Sequence, residues 1–346
     1  MFCSRLNNTV YIRVLSPQFS RCCTQVRAPW FNSLDELESS QWLADSKQML
    51  ADNKWPTECS NCKDMEEAGL DSVRKFGNSH HDALMSINPD YLSVGLEVDA
   101  KCNAACISCG PSRSSLFAKL ESKRQLAGTG VDGFNTLDKD RILEIDLYGG
   151  ESAVSNDTQT LLNELITSEH NVRKIRITTN ASVTIPEIEG LLQRGIEIDI
   201  SMSMDGFDKT FEYARWPIKW SKFKTVVDYY CSVRNKYLGL KLYFWTTHSA
   251  LSLVDYDNMI VYSNNVGVPL IGSPVKTPSI LHISHNNIMT RYAKEKLLAS
   301  EFEQARQLAL LVATETDDST VELEEFLNRA DALRKIQHKD YYANII

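Results

Sequence analysis

The chain has 346 residues, 43% hydrophobic and 24% charged, the composition of a globular protein with one large domain or two ordinary ones. Its net charge of -8 offers no basic excess to neutralise phosphates, which argues against nucleic-acid binding as the main activity. No run approaches the roughly 18 apolar residues of a membrane span, and no apolar segment of secretory type opens the sequence, so the reading is cytoplasmic.

Residues 1–90 read as an irregular, cysteine-rich segment. Arg5, Arg13, Arg21 and Arg27 precede the first acid, Asp35, in imitation of a mitochondrial presequence. Cys3, Cys22 and Cys23 in the same stretch are residues a disposable peptide does not need. "SLDE" offers a capping box of Ser33 with Glu36, which predicts a helix through Leu37 and Trp42 to about Leu50. Pro56 then breaks the chain before a C-x2-C at Cys59 and Cys62, and Glu66, Glu67 and Arg74 read as a surface helix.

From residue 91 the pattern alternates. Strands are predicted at 92–98, 142–150, 172–180, 196–206 and 240–248, with helices near 114–126, 156–168, 186–194, 218–235 and 255–265. This spacing indicates an α/β fold with a parallel sheet and right-handed crossovers, doubly wound or barrel-like. Functional residues in such sheets sit at the carboxyl ends of the strands. The cluster "KCNAACISCG", Gly149-Gly150-Glu151, Asn180 and Asp205-Gly206 all follow strands directly. Residues 286–346 read as a helical tail, with Leu297, Leu298, Phe302, Leu308 and Leu311 as its packing stripe. The domain reading is therefore 1–90, 91–285 and 286–346.

Nine cysteines are an odd number, and eight lie in the first 109 residues. That clustering indicates metal ligation in a reducing compartment. Cys102, Cys106 and Cys109 form C-x3-C-x2-C. Zinc sites usually close with four ligands, and disulfides need pairs. A cubane iron–sulfur cluster has four iron corners, so three cysteines leave one iron open to a substrate or cofactor. Ala104, Ala105, Ser108 and Gly110 leave room for it. A zinc site completed by a distant His or Cys is the competing reading. Cys231 reads as a small buried hydrophobe ahead of a hydrogen donor, and Trp216 and Trp220 as core.

Over about residues 91–275 the array resembles the radical S-adenosylmethionine (SAM) superfamily. "LYGGES" resembles its Gly-Gly-Glu segment, "TTNAS" its Thr-Asn-Gly segment, and "SMDGFDKTFEYAR" its Ser-x-Asp-Gly stretch followed by arginine. The resemblance implies a partial parallel (β/α)6 barrel and a [4Fe-4S] cluster on Cys102, Cys106 and Cys109. SAM contacts fall on Gly149, Gly150, Glu151 and Asn180, with Ser203 and Arg215 at its carboxylate, where a guanidinium fork fits well. It also implies reductive cleavage of SAM to a 5′-deoxyadenosyl radical that abstracts hydrogen from a substrate, and an electron donor such as a flavodoxin or ferredoxin. Two departures stand out: Ala181 replaces the family's glycine, and Ser108 stands where many members carry an aromatic residue near the adenine.

The N-terminal cysteines resemble the auxiliary-cluster segments of twitch and SPASM-type members, although here they precede the barrel. The implied ligands are Cys3, Cys22 or Cys23, Cys59 and Cys62, with structural zinc as the competitor. Members with auxiliary clusters often modify peptides or proteins, so a peptide or protein side chain ranks first as substrate. A small metabolite is second and an RNA base third. The alternative from another class is a zinc or electron-transfer protein with a catalytically silent α/β domain.

Overall fold

The structure is a computed structural model that describes every residue except 15–17, 23, 24, 26, 80, 125–127, 313–315, 343, 344 and 346. Eight strands build one sheet: β1 (Thr9–Ile12), β2 (Phe19–Ser20), β3 (Leu92–Glu97), β4 (Ile142–Tyr148), β5 (Lys174–Thr179), β6 (Glu197–Ser203), β7 (Leu240–His248) and β8 (Leu270–Pro274). Their order is β2-β1-β3-β4-β5-β6-β7-β8, and only the β1–β2 pair is antiparallel. Strands β3 to β8 thus lie side by side in chain order, joined by helical crossovers. The five strands expected from the alternating pattern are β3 to β7. The expected helices between them are Ser115–Leu120, Asn156–Thr167, Ile188–Gln193, Trp220–Arg234 and Tyr256–Val266. No described helix is long and apolar enough to cross a membrane.

The two faces of the sheet differ. Ile145, Leu147, Ile175, Ile177, Ile198 and Ile200 alternate onto one face and are buried in the main core. The other face is also buried, but ionic. Register sets Asp146, Arg176 and Asp199 side by side on β4, β5 and β6. Arg176 pairs with Glu144 at 2.7 Å and Asp146 at 2.8 Å, and Lys174 pairs with Asp199 at 2.8 Å. Burial opposes ionisation of Asp146, yet Arg176 and Arg5 beside it hold its carboxyl below the usual range.

The N-terminal ninety residues correct the expectation of irregularity. They supply β1 and β2, along with helices that pack over the ionic face. Arg5 reaches Asp146 at 3.4 Å, and Phe76 lies edge-on to Tyr243 of β7 with ring centroids 6.1 Å apart. The helix Ser60–Glu67 packs against β8. The four residues of β1, Thr-Val-Tyr-Ile, carry high strand propensity, and pairing on β2 and β3 places them in the sheet. The helix expected from Ser33 to Leu50 is two helices, Leu34–Glu38 and Gln41–Ala51. Ser39 and Ser40 turn their hydroxyls back to the carbonyls of Asp35 and Leu37, both at 2.8 Å, and so interrupt the helix. Ser33 caps as expected, accepting the Glu36 N–H, but the Glu36 carboxylate accepts from the Asn32 N–H instead of closing the box. The tail forms Ile288–Leu298, Glu303–Ala309 and Thr320–Arg334. Leu297 and Leu308 are buried and Phe302 and Leu311 pack on the core, whereas Leu298 is 56% exposed and leaves the stripe.

Candidate metal and cofactor centre

The loop after β3 carries the three thiols across the carboxyl ends of the sheet. Four backbone hydrogen bonds from distant segments pin it. Gly150 N–H donates to Asp99 O at 2.9 Å and Glu151 N–H to Lys101 O at 2.7 Å. Ala105 N–H donates to Trp216 O at 2.7 Å and Ile107 N–H to Ala214 O at 2.9 Å. From within the loop, the Cys102 N–H donates to Ser115 Oγ at 3.0 Å, and Ser114 Oγ donates to Ala104 O at 2.5 Å. Cys106 is buried and Cys102 and Cys109 are half-buried. Burial pushes the Cys102 thiol up to about 11 and Cys106 up to about 12, and it raises Cys109 as well. Thiolates here therefore require a nearby cation, either the Arg215 guanidinium or a metal.

The glycine pair makes the close approach possible. Gly149 has φ +135°, and a Cβ on Gly150 would lie 2.0 Å from Lys101 O. Glu151 is buried and accepts from Thr179 Oγ1 and Asn180 N–H, both at 2.5 Å, and from Ala153 N–H at 3.1 Å. Burial still dominates those three donors and raises its pKa. Both ends of the Asn180 amide are engaged. Its Nδ2 donates to Asn103 Oδ1 and its Oδ1 accepts the Ser182 N–H, each at 2.9 Å. Ala181 has φ +52°, a left-handed conformation that suits the glycine found there in the family it resembles.

Ser203 is buried at the end of β6. Arg215 Nη1 donates to Asp205 Oδ2 at 2.7 Å, and Asp205 Oδ1 accepts the Thr247 N–H at 2.7 Å. Burial disfavours the guanidinium charge, but Cys106 and Asp205 outweigh it and raise the pKa. Its Nε is buried and has no hydrogen-bond partner. Asn103 and Ser182, which join the loop to the end of β5 through Asn103 Nδ2 and Ser182 Oγ at 2.9 Å, are not legible in the sequence.

Four further thiols, Cys3, Cys22, Cys59 and Cys62, line one pocket with Arg5, Arg74 and Trp55. Cys23 lies outside the described residues. The space between them is about 20 Å³, one water or ion across. Burial raises Cys3 to about 11 and Cys59 to about 12, with neighbouring Cys22 adding to each. Among the described residues, no group of three or more His, Cys, Asp and Glu side chains is arranged to hold a single metal ion. The four N-terminal thiols share that space, whereas of the loop thiols Cys109 alone lines a cavity described here. The donor chemistry, sulfur with guanidinium counter-charge, fits a thiolate-bound metal group at each.

A cavity of about 350 Å³ opens beside Cys109. Phe117, Pro278, Phe326, Arg329 and Leu333 line it, so the C-terminal helix forms one wall of the cavity as well as packing on the core. Its size suits a small ligand or one side chain. Trp220 is buried and stacks on Phe223, as expected of core, while Trp216 is half-buried and gives its carbonyl to the loop. Cys231 packs at the core margin with Arg234 Nη2 3.8 Å from its sulfur.

Fold and site together define an α/β protein with a three-thiol loop at the carboxyl ends of a parallel sheet and four more thiols lining one pocket of its N-terminal segment. No family model matches the chain, and no curated protein matches it in sequence. Among solved structures it is similar to SuiB of Streptococcus suis, at 13% identity and TM-score 0.42, covering 85% of this chain and 69% of SuiB. With SuiB bound to S-adenosylmethionine the values are 13%, 0.39, 84% and 70%, and with SuiB bound to the precursor peptide SuiA they are 15%, 0.38, 80% and 60%. The likeness is distant.

Proposed function

We propose that the chain is an enzyme of the radical SAM type, with β3 to β8 as a partial (β/α)6 barrel. The observation that carries this reading is convergence: Glu151, Asn180 and the Ala214–Trp216 segment, from three separate stretches, all hydrogen-bond to the one loop that holds Cys102, Cys106 and Cys109. A zinc site needs only its four ligands, whereas this loop is built into a constellation suited to a zwitterionic ligand.

When bound, a [4Fe-4S] cluster and SAM supply one-electron cleavage that yields a carbon radical able to take hydrogen from a substrate. Cys102, Cys106 and Cys109 would hold the cluster through three thiolates. Gly149 and Gly150 bring bare backbone to the SAM amino group. Arg215, fixed by Asp205, would meet the SAM carboxylate with its otherwise unpartnered Nε, and Ser203 would be the second contact. Glu151 braces the end of β5 from inside. The substrate class placed first is a peptide or protein side chain, with a small metabolite second. The cavity beside Cys109 accommodates either.

The test is 5′-deoxyadenosine formation by anaerobically reconstituted, dithionite-reduced protein given SAM, compared with the Cys102→Ala, Cys106→Ala, Cys109→Ala variant. Product from the unaltered chain alone supports the reading. Tightly bound zinc, with no iron or sulfide taken up, overturns it in favour of a metal-binding protein.

A further inference from the structure

The cavity of about 350 Å³ beside Cys109 touches none of the residues proposed for SAM. Gly149, Gly150, Glu151, Asn180, Ser203 and Arg215 all lie outside its walls, although Ile107 and Cys109 of the thiol loop are part of them. A second ligand therefore has room against the loop without displacing the first. One wall is the helix Thr320–Arg334. Phe326, Arg329, Ala330 and Leu333 recur at three- and four-residue steps, which sets them on one face, and that face lines the cavity. Buried residues of the same helix anchor it. Asp331 accepts from Tyr213 Oη at 2.9 Å and from the His338 N–H at 2.6 Å, and Arg334 Nη1 donates to the Tyr213 carbonyl at 2.8 Å. Tyr213 adjoins Ala214, whose carbonyl accepts the Ile107 N–H at 2.9 Å, so wall and thiol loop are fixed to the same segment. The wall is in place before a ligand arrives.

Phe117, Pro278, Phe326 and Leu333 make the lining largely apolar, and three charged side chains interrupt it. Two of these are occupied, Arg334 by Tyr213 and Glu121 by Lys123 at 2.6 Å. Arg329 is exposed and has no hydrogen bond or ion pair with any described residue. We propose that the cavity is a recognition subsite for the substrate: it takes an apolar side chain of a peptide whose neighbouring residue is Asp or Glu, and Arg329 is the specificity-determining contact for that carboxylate. This rests on the reading of the chain as an enzyme acting on a peptide, and it names which peptides. The apolar side chain leaves water for Phe117, Phe326 and Leu333, while the guanidinium fork meets the carboxylate at the rim. A chain of net charge -8 repels an acidic peptide in general, so an unpaired arginine at the cavity is what admits one. The subsite holds a residue flanking the one that reacts, and Arg329 takes no part in the chemistry.

The test is binding, followed by saturation-transfer NMR titration of the full chain after anaerobic reconstitution. Its outcome does not depend on 5′-deoxyadenosine formation, which tests the enzyme reading separately. N-acetyl-Phe-Glu-amide should bind about fivefold more tightly than N-acetyl-Phe-Gln-amide, the gain expected of one carboxylate–guanidinium contact at a surface. Arg329→Gln should erase that preference and Arg329→Lys should keep part of it. Lys241→Gln, the same loss of charge at the amino end of β7, should leave it whole. Phe326→Ala should weaken both peptides alike, and saturating SAM should leave both affinities unchanged. Equal affinity for the two peptides, a preference that survives Arg329→Gln, absence of binding, or displacement by SAM would each overturn the proposal. Binding of 3-phenylpropionate as tight as that of the Glu peptide would overturn it in favour of a small acid.

Discussion

Asn180 Nδ2 donates to Asn103 Oδ1 at 2.9 Å across 77 residues of chain, tying the end of β5 to the thiol loop. Asn180→Ala leaves Asn103 Oδ1 and the Ser182 N–H without their partner. Each half-satisfied group costs about 1 kcal/mol, so urea unfolding of the variant should show a loss of about 2 kcal/mol. A double-mutant cycle with Asn103→Ala isolates the tie. Its coupling should be about 1 kcal/mol, and simple additivity would show that the two amides do not support one another.

Gly150 is the second point of attachment. A methyl group there would meet Lys101 O at 2.0 Å, and the obstacle is backbone, not the tip of a flexible side chain. Gly150→Ala should therefore displace the loop, costing about 2 kcal/mol of stability and most of the iron uptake on reconstitution. Iron per chain, measured beside the unfolding midpoint, checks both. Full iron loading in a destabilised variant would separate the glycine's packing role from the metal site.

The strands β3 to β7 were legible because each is a short stretch rich in β-branched, aromatic and other apolar residues, with β4, β5 and β6 ending at Gly149, Asn180 and Asp205-Gly206, and the three-thiol spacing is local. β8 escaped because five residues with Gly272 and Pro274 among them become a strand only through a neighbour's hydrogen bonds, and β1 because its four residues are too short a run to stand out in a segment that reads as irregular. The ionic face was hidden for a related reason. Glu144, Asp146, Lys174, Arg176 and Asp199 alternate with isoleucine and leucine, a pattern that reads as one face in water. Burial of that face comes from residues 1–90, far away in sequence. Likewise the C-x2-C of Cys59 and Cys62 can be read directly, but its meeting with Cys3 and Cys22 in one pocket depends on tertiary packing of segments distant in sequence.

Arg215 separates charge from geometry at the site. Lysine retains the positive charge beside Asp205 but loses the planar fork and the Nε that has no partner. Arg215→Lys should fold and take up iron, and bind SAM at least tenfold more weakly by calorimetry. Arg215→Ala removes the charge and leaves Asp205 buried without its ion pair, costing about 3 kcal/mol of stability. Unchanged SAM affinity in the lysine variant would remove Arg215 from the proposed carboxylate contact.

His248, the last residue of β7, is buried with neither ring nitrogen hydrogen-bonded, and Gly272 on β8 leaves the room for its ring. Burial pushes its pKa down from 6.5 to about 3. The folded value lies below the unfolded one, so between these pH values the unfolded chain binds a proton that the folded chain does not. Stability from the neutral ring is fully present above pH 6.5 and is lost as pH falls toward 3, at a slope of up to about 1.4 kcal/mol per pH unit. By pH 5 the loss attributable to His248 should be about 2 kcal/mol. His248→Phe keeps a ring and breaks no hydrogen bond, so comparing urea midpoints at pH 7 and pH 5 in both proteins cancels the contributions of other groups. The variant should lose about 2 kcal/mol less than the parent on acidification. Equal losses in the two would mean that the ring is protonated at little cost, and that another buried group carries the acid sensitivity of the fold.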